Sequence, residues 1–113
     1  YPFKSTNSKL AMTAHILYSK IDSKNVSTFS KKIINEIIRK KIGFKGILKS
    51  DDITKKALKY DLITNAKKSL QAGCNLVLYC AGNTKDNFKL IKSVPYIDQF
   101  TSKKTSEIYK ILR

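Results

Sequence analysis

Three short apolar runs separated by segments of helical spacing govern what this chain can fold into. The runs are Leu10 to Ile16 (LAMTAHI), Gly46 to Lys49 (GILK) and Cys74 to Cys80 (CNLVLYC). The first lacks clean apolar/polar alternation, as expected of a buried strand in a parallel sheet. After the polar stretch Tyr18 to Phe29, Ser30 offers a side-chain oxygen for an N-cap. Ile33, Ile34, Ile37 and Ile38 then recur at helical spacing, and Gly43 closes the segment. Lys55 to Tyr60 reads as a short helical turn, and Asp61 to Ala72 as a clear helix. Leu62, Ala66 and Leu70 lie on one face of it, with Gly73 as its stop. Asp86 to Ser93 is predicted helical, Pro95 breaks it, and Ser102 to Leu112 forms a terminal helix. Alternation of strand and helix argues for an α/β fold with parallel strands and right-handed crossovers. Three strands alone leave two raw edges and little core. The chain is therefore either a small doubly wound domain or a portion of a barrel. A full (β/α)8 barrel takes roughly 250 residues, and the chain has 113.

Composition narrows the classes. At 42% hydrophobic residues the chain is too apolar for a disordered basic tail. No apolar run approaches the ~18 residues of a membrane span, so no membrane role is expected. Cys74 and Cys80 share one apolar run and suit small buried thiols kept reduced in a cytosol. The start at Tyr1-Pro2-Phe3, without Met, leads us to expect that the natural N-terminus lies further upstream. The net charge of +15 invites a nucleic-acid reading, but only Arg39 and Arg113 are arginines and the lysines are spread along the chain. Solvated faces explain that distribution better than a binding footprint does. The alternative, a small basic nucleic-acid-binding α/β module, would use Tyr18, Phe29, Phe44 and Tyr60 as stacking groups.

In parallel α/β folds reactive groups collect at the C-terminal ends of strands. Three polar features fall there: Thr13 with His15, Asp51 with Asp52, and Cys80 to Asn83. A carboxylate at such a tip can act as nucleophile, base or metal ligand. The plainer reading makes Ser50 or Asp51 the N-cap of the following turn. His15, the single histidine, is by itself more easily a satisfied core residue than a catalytic one. One His and two separated Cys give no metal-ligand spacing, and no glycine-rich phosphate loop is present. No metal or other cofactor is therefore expected.

Met12-Thr13-Ala14-His15-Ile16, Ile21-Asp22, Phe29-Ser30, Ile38-Arg39, Gly43-Phe44-Lys45-Gly46, Ser50-Asp51-Asp52-Ile53 and Ala72-Gly73-Cys74-Asn75-Leu76 occur in that order. Together they resemble the C-terminal part of the catalytic barrel of glycoside hydrolase family three, about three βα units of a TIM-type (β/α)8 barrel. The resemblance is strongest to the bacterial cytoplasmic β-N-acetylglucosaminidases of cell-wall recycling. It runs from Tyr1-Pro2-Phe3-Lys4, similar to the segment before the sixth barrel strand, to about Val94, leaving 95–113 as a terminal helix.

The resemblance implies a retaining glycosidase that releases terminal β-linked N-acetylglucosamine from a muropeptide or saccharide. It makes Asp51, the first Asp of Ser-Asp-Asp, the nucleophile. Asp52 becomes a supporting brace or cap, and His15 a residue near the pocket that contacts substrate or orients Asp51. It also exposes departures. The family's Lys-His pair, its Asp-His acid/base loop and its upstream Asp and Arg sugar ligands have no counterpart in these residues. Lys55 stands where the family has Met, and Ser27 and Lys31 replace a Pro pair. Without a general acid, a loss of about 10²–10⁴-fold in rate is expected. The chain alone should be inactive, unless a separate chain carrying the N-terminal half of the barrel completes it.

Overall fold

The computed structural model of the chain describes residues 5–112, so the expectation for Tyr1 to Lys4 lies outside the described residues. Three strands, β1 (Leu10–Met12), β2 (Ile47–Asp52) and β3 (Leu76–Leu78), form one parallel sheet in the order β1-β2-β3. Leu10, Ala11 and Met12 pair with Ile47, Leu48 and Lys49. On the other side Lys49 pairs with Leu76 and Asp52 with Leu78, with an irregularity between. A wide helix, Ile33–Ile42, connects β1 to β2. Helix α1 (Leu62–Ala72) connects β2 to β3, and α2 (Thr84–Ser93) and α3 (Gln99–Leu112) follow.

The boundaries differ from expectation for identifiable reasons. The first strand stops at Met12, not Ile16, because the chain changes partner. Thr13 N–H still reaches the Lys49 carbonyl at 2.9 Å, but the Ile16 carbonyl accepts from Ser27 N–H at 2.8 Å. The second strand runs on through Asp52, since Ile53 N–H donates to the Leu78 carbonyl (2.9 Å). The third shrinks to Leu76–Leu78 because Gly73 and Cys74 N–H close α1 on the Leu70 and Ser69 carbonyls. Residues 55–60 form hydrogen-bonded turns instead of helix. Asn83 and Asp98 accept from Asp86 N–H (3.2 Å) and Thr101 N–H (2.7 Å), which starts the last two helices earlier than read. Ser30 Oγ accepts Ile33 N–H at 3.1 Å, as the N-cap reading expected. The helix beyond it is π-type: Gly43 N–H bonds the Ile38 carbonyl, and Gly43 takes φ 80°, a conformation suited to glycine.

Helices cover one face of the sheet. Ile34, Leu48, Ala72 and Cys74 form one buried cluster there, with Ala11 packed against it. Ile53, Leu58, Ala66 and Leu90 form a second, reached by Val77 and Tyr79. Side chains alternate across a strand, so the neighbours of Ala11 and Leu48 face the other way. On that side Leu10 is 47% exposed, Met12 53% and Leu76 37%. Parallel sheets are almost always covered on both faces. This one, within a slab of 42 × 40 × 21 Å, is covered on one and largely open on the other, where Ile47 alone of these residues is fully buried.

Candidate active site

The tip of β2 carries Ser50, Asp51 and Asp52, and each has a different task. Ser50 is fully buried and its Oγ accepts Leu78 N–H at 3.0 Å, filling in where the β2–β3 register shifts. The shift sets an extra β2 residue against β3, the arrangement by which a bulge re-aims a side chain. Ser50 therefore caps no turn. Asp51 follows at the bulge, with its side chain 21% exposed. Its Oδ1 accepts Asp52 N–H at 2.7 Å and its Oδ2 accepts the Lys55 ammonium at 2.5 Å. These bonds, the Lys55 one foremost, hold its pKa below the ordinary carboxylate value.

Asp52 turns its carboxylate to the loops. Oδ1 accepts Thr54 N–H (3.1 Å) and Cys80 N–H (3.3 Å), and Oδ2 accepts the Thr54 hydroxyl (2.7 Å). The Thr54 hydroxyl contributes most to lowering its pKa. Asp52 thus ties the turn after β2 to the end of β3. Both carboxylates are ionised at neutral pH, so neither can donate a proton to a leaving group.

His15 reaches the same tip from the segment after β1. Its Nε2 lies 2.9 Å from the Asp52 carbonyl oxygen, which can only accept, so Nε2 carries the proton. In the neutral ring Nδ1 then accepts the Thr28 hydroxyl at 2.7 Å, and Thr13 Oγ1 sits 2.9 Å from Thr28 Oγ1. Both ring nitrogens are engaged within the protein. The structure brings His15, Asp51 and Asp52 together, and adds Thr28 and Lys55. Nothing in the sequence pairs Thr28 with His15, thirteen positions apart; Lys55 was visible only as a departure from the family pattern.

Of the remaining candidates, Cys80 borders the site through its N–H and the others lie apart. Cys74 is buried, and desolvation pushes its thiol up to about 11; Cys80 is exposed, against the expectation that both are buried. Of the proposed stacking aromatics, Phe29 and Tyr60 pack on each other at 6.0 Å, and Phe44 lies beneath Arg39. Among the described residues no three His, Cys, Asp or Glu side chains converge as a metal site would require, and no helix is long and apolar enough to cross a membrane.

Comparison with known proteins places the chain in a family. The model of the glycosyl hydrolase family 3 N terminal domain matches residues 1–107. A beta-hexosaminidase of Actinobacillus succinogenes is 36% identical over 94 residues, 77% of this chain and 27% of that protein. One from Nitrosomonas eutropha is 45% identical over 71 residues, 61% of this chain and 20% of that protein. The crystal structure of the beta-N-acetylglucosaminidase from Thermotoga maritima superposes with a TM-score of 0.67 at 33% identity, covering 80% of this chain and 22% of that one. Zinc-bound CbsA from Thermotoga neapolitana gives 0.70 at 32% identity, covering 80% and 20%. The chain thus spans about a quarter or less of the length of these relatives. With one family model matching nearly all of its residues, the chain belongs to glycosyl hydrolase family 3, as a portion of that family's N terminal domain.

Proposed function

We propose that this chain supplies the nucleophile-bearing part of a (β/α)8 barrel that removes terminal non-reducing β-linked N-acetylglucosamine from cell-wall-recycling saccharides in the cytoplasm. Asp51 is the nucleophile of a retaining mechanism. One of its oxygens bonds to the anomeric carbon as the glycosidic C–O bond breaks, with the electron pair leaving on the departing oxygen. Water then bonds to the anomeric carbon, passes one proton to the group that protonated the departing oxygen, and returns Asp51 to its carboxylate. The observation that carries the reading is the placement of an ionised, partly exposed Asp51 at the C-terminal tip of the central strand, inside the family match. The relatives' names supply the substrate class.

In this reading His15 and Asp52 are positioning residues. His15 pins the Asp52 carbonyl, and Asp52 fixes the turn behind Asp51. The proton for the leaving oxygen comes from residues outside this chain. The bare sheet face and the free edges of β1 and β3 are closed by the remaining barrel strands, for which a separate chain is one source. The isolated chain is therefore inactive. The test is hydrolysis of a chromogenic N-acetylglucosaminide by the chain alone and by a chimera in which it replaces the matching segment of the Thermotoga maritima enzyme. The chimera is expected to turn over and the chain alone is not. Turnover by the chain alone, or an Asp51→Asn chimera as fast as its parent, contradicts the proposal.

A further inference from the structure

Lys55 is the charged residue at the site to which the proposed reaction gives no part. It lies on the turn after β2, its N–H directed to the Asp52 carbonyl at 3.3 Å, and its side chain folds back so that Nζ meets Asp51 Oδ2 at 2.5 Å. The Lys55 side chain is 53% exposed, and that of Asp51 21%. Among the described residues the other ion pair is Lys104 with Glu107 on α3, far along the chain. Asp51 therefore has its two oxygens held by unlike partners, a backbone N–H fixed by the strand and a cation on a flexible stem. Other charged or titratable groups face this pair. They are His15 from the segment after β1, Asp52 from β2, and Cys80 from the end of β3.

We propose that Lys55 is a positioning residue for Asp51, which holds the carboxylate in one rotamer while covering Oδ2. An uncharged side chain at this place can do none of these things. Asp51 is then presented to a ligand by displacement of a mobile cation, not by rotation of the carboxylate. The meaning of this for catalysis rests on the reading of Asp51 as nucleophile; the contact and its effect on Asp51 do not. Lowered basicity of Asp51 and raised basicity of Lys55 agree with the geometry.

The test is a ¹³C-carboxyl NMR titration of the full 113-residue chain, with the Asp51 signal assigned by its loss in Asp51→Asn. Lys55→Met is expected to move the Asp51 midpoint upward, Lys55→Arg to return it toward the wild-type position, and Lys56→Met to leave it in place. A midpoint unchanged in Lys55→Met overturns the proposal, as does an equal shift in Lys56→Met, which would mark a diffuse charge effect. A chain without dispersed methyl resonances holds no fixed contact and overturns it equally. No sugar enters this experiment, so its failure leaves covalent labelling of Asp51 untouched, and failure of that labelling leaves this result standing.

Discussion

Replacing Arg39 by methionine tests the packing that holds the strands in place. Arg39 extends from the wide helix beneath the N-terminal ends of β2 and β3. Its Nη1 donates to the Phe44 and Gly46 carbonyls at 3.1 and 2.8 Å, and its Nη2 donates to Asn75 Oδ1 at 2.7 Å. The guanidinium carbon also lies 5.4 Å from the Phe44 ring centre and 5.5 Å from that of Phe100 on α3. Asn75 Oδ1 in turn accepts Leu48 N–H, and its Nδ2 donates to the Thr101 hydroxyl. One side chain thus joins the starts of two strands and the last helix. Among the described residues no carboxylate partners it, so the fork geometry of the guanidinium carries the interaction. Methionine keeps most of the stem packing and loses the rest. Counted as an ordinary hydrogen bond, each of these contacts contributes about 1 kcal/mol, and each ring contact about 0.5 kcal/mol. Arg39→Met should therefore cost about 3–4 kcal/mol, a large share of the 5–15 kcal/mol or so that holds an ordinary domain folded. Urea unfolding followed by far-UV circular dichroism reads this as a lowered midpoint with an unchanged slope. Arg39→Lys should lose more than half as much, while Lys40→Met, at an exposed neighbour, should lose little. A loss below about 1 kcal/mol in Arg39→Met, the scale of an exposed ion pair, would refute the reasoning. So would a lysine variant as stable as the parent.

Two further outcomes follow from ionisable groups. Asp22 accepts the Ser30 hydroxyl at 2.7 Å and the N–H groups of Lys24 and Asn25, which hold its pKa at about 2. A carboxyl lowered on folding adds stability that is fully present above its unfolded pKa, near 4, and is lost as pH falls toward the folded value. Stability should therefore decline between about pH 4 and pH 2, and Asp22→Asn should flatten that decline; equal slopes in the two chains would contradict this account. Alkylation of the folded chain at mildly alkaline pH, read by peptide mass spectrometry, should modify the exposed Cys80 and spare the buried Cys74, whose thiol lies near 11. Comparable modification of both is the contrary result.

The chain announces its fold order more clearly than its site. Gly43 and Gly73 mark helix ends, and the apolar runs mark all three strands, because burial and glycine geometry are local signals. Strand limits were less legible, since they depend on distant partners. Ile16 leaves the sheet because the Ser27–Phe29 turn offers it a hydrogen bond, and Asp52 stays because Ile53 bonds Leu78. The π-type winding at Ile33–Ile42 was invisible, as isoleucines four residues apart suit either helix. The Asp51 candidate was visible in the Ser-Asp-Asp triplet only through resemblance, because composition alone favoured a cap. Three-dimensional placement alone reveals that Ser50 serves β3, that the Asp52 carbonyl fixes the His15 tautomer while Thr28 meets the other ring nitrogen, and that Lys55 reaches back to Asp51.

The central claim is that Asp51 attacks the sugar, and covalent capture addresses it without intermediaries. The barrel chimera would be incubated with a 2-fluorinated N-acetylglucosaminyl-type inactivator, digested, and its labelled peptide sequenced by mass spectrometry. The account predicts one added sugar, carried on Asp51 and absent from the Asp51→Asn chimera. A sugar attached to any other residue, or the same labelling after Asp51→Asn, would contradict it.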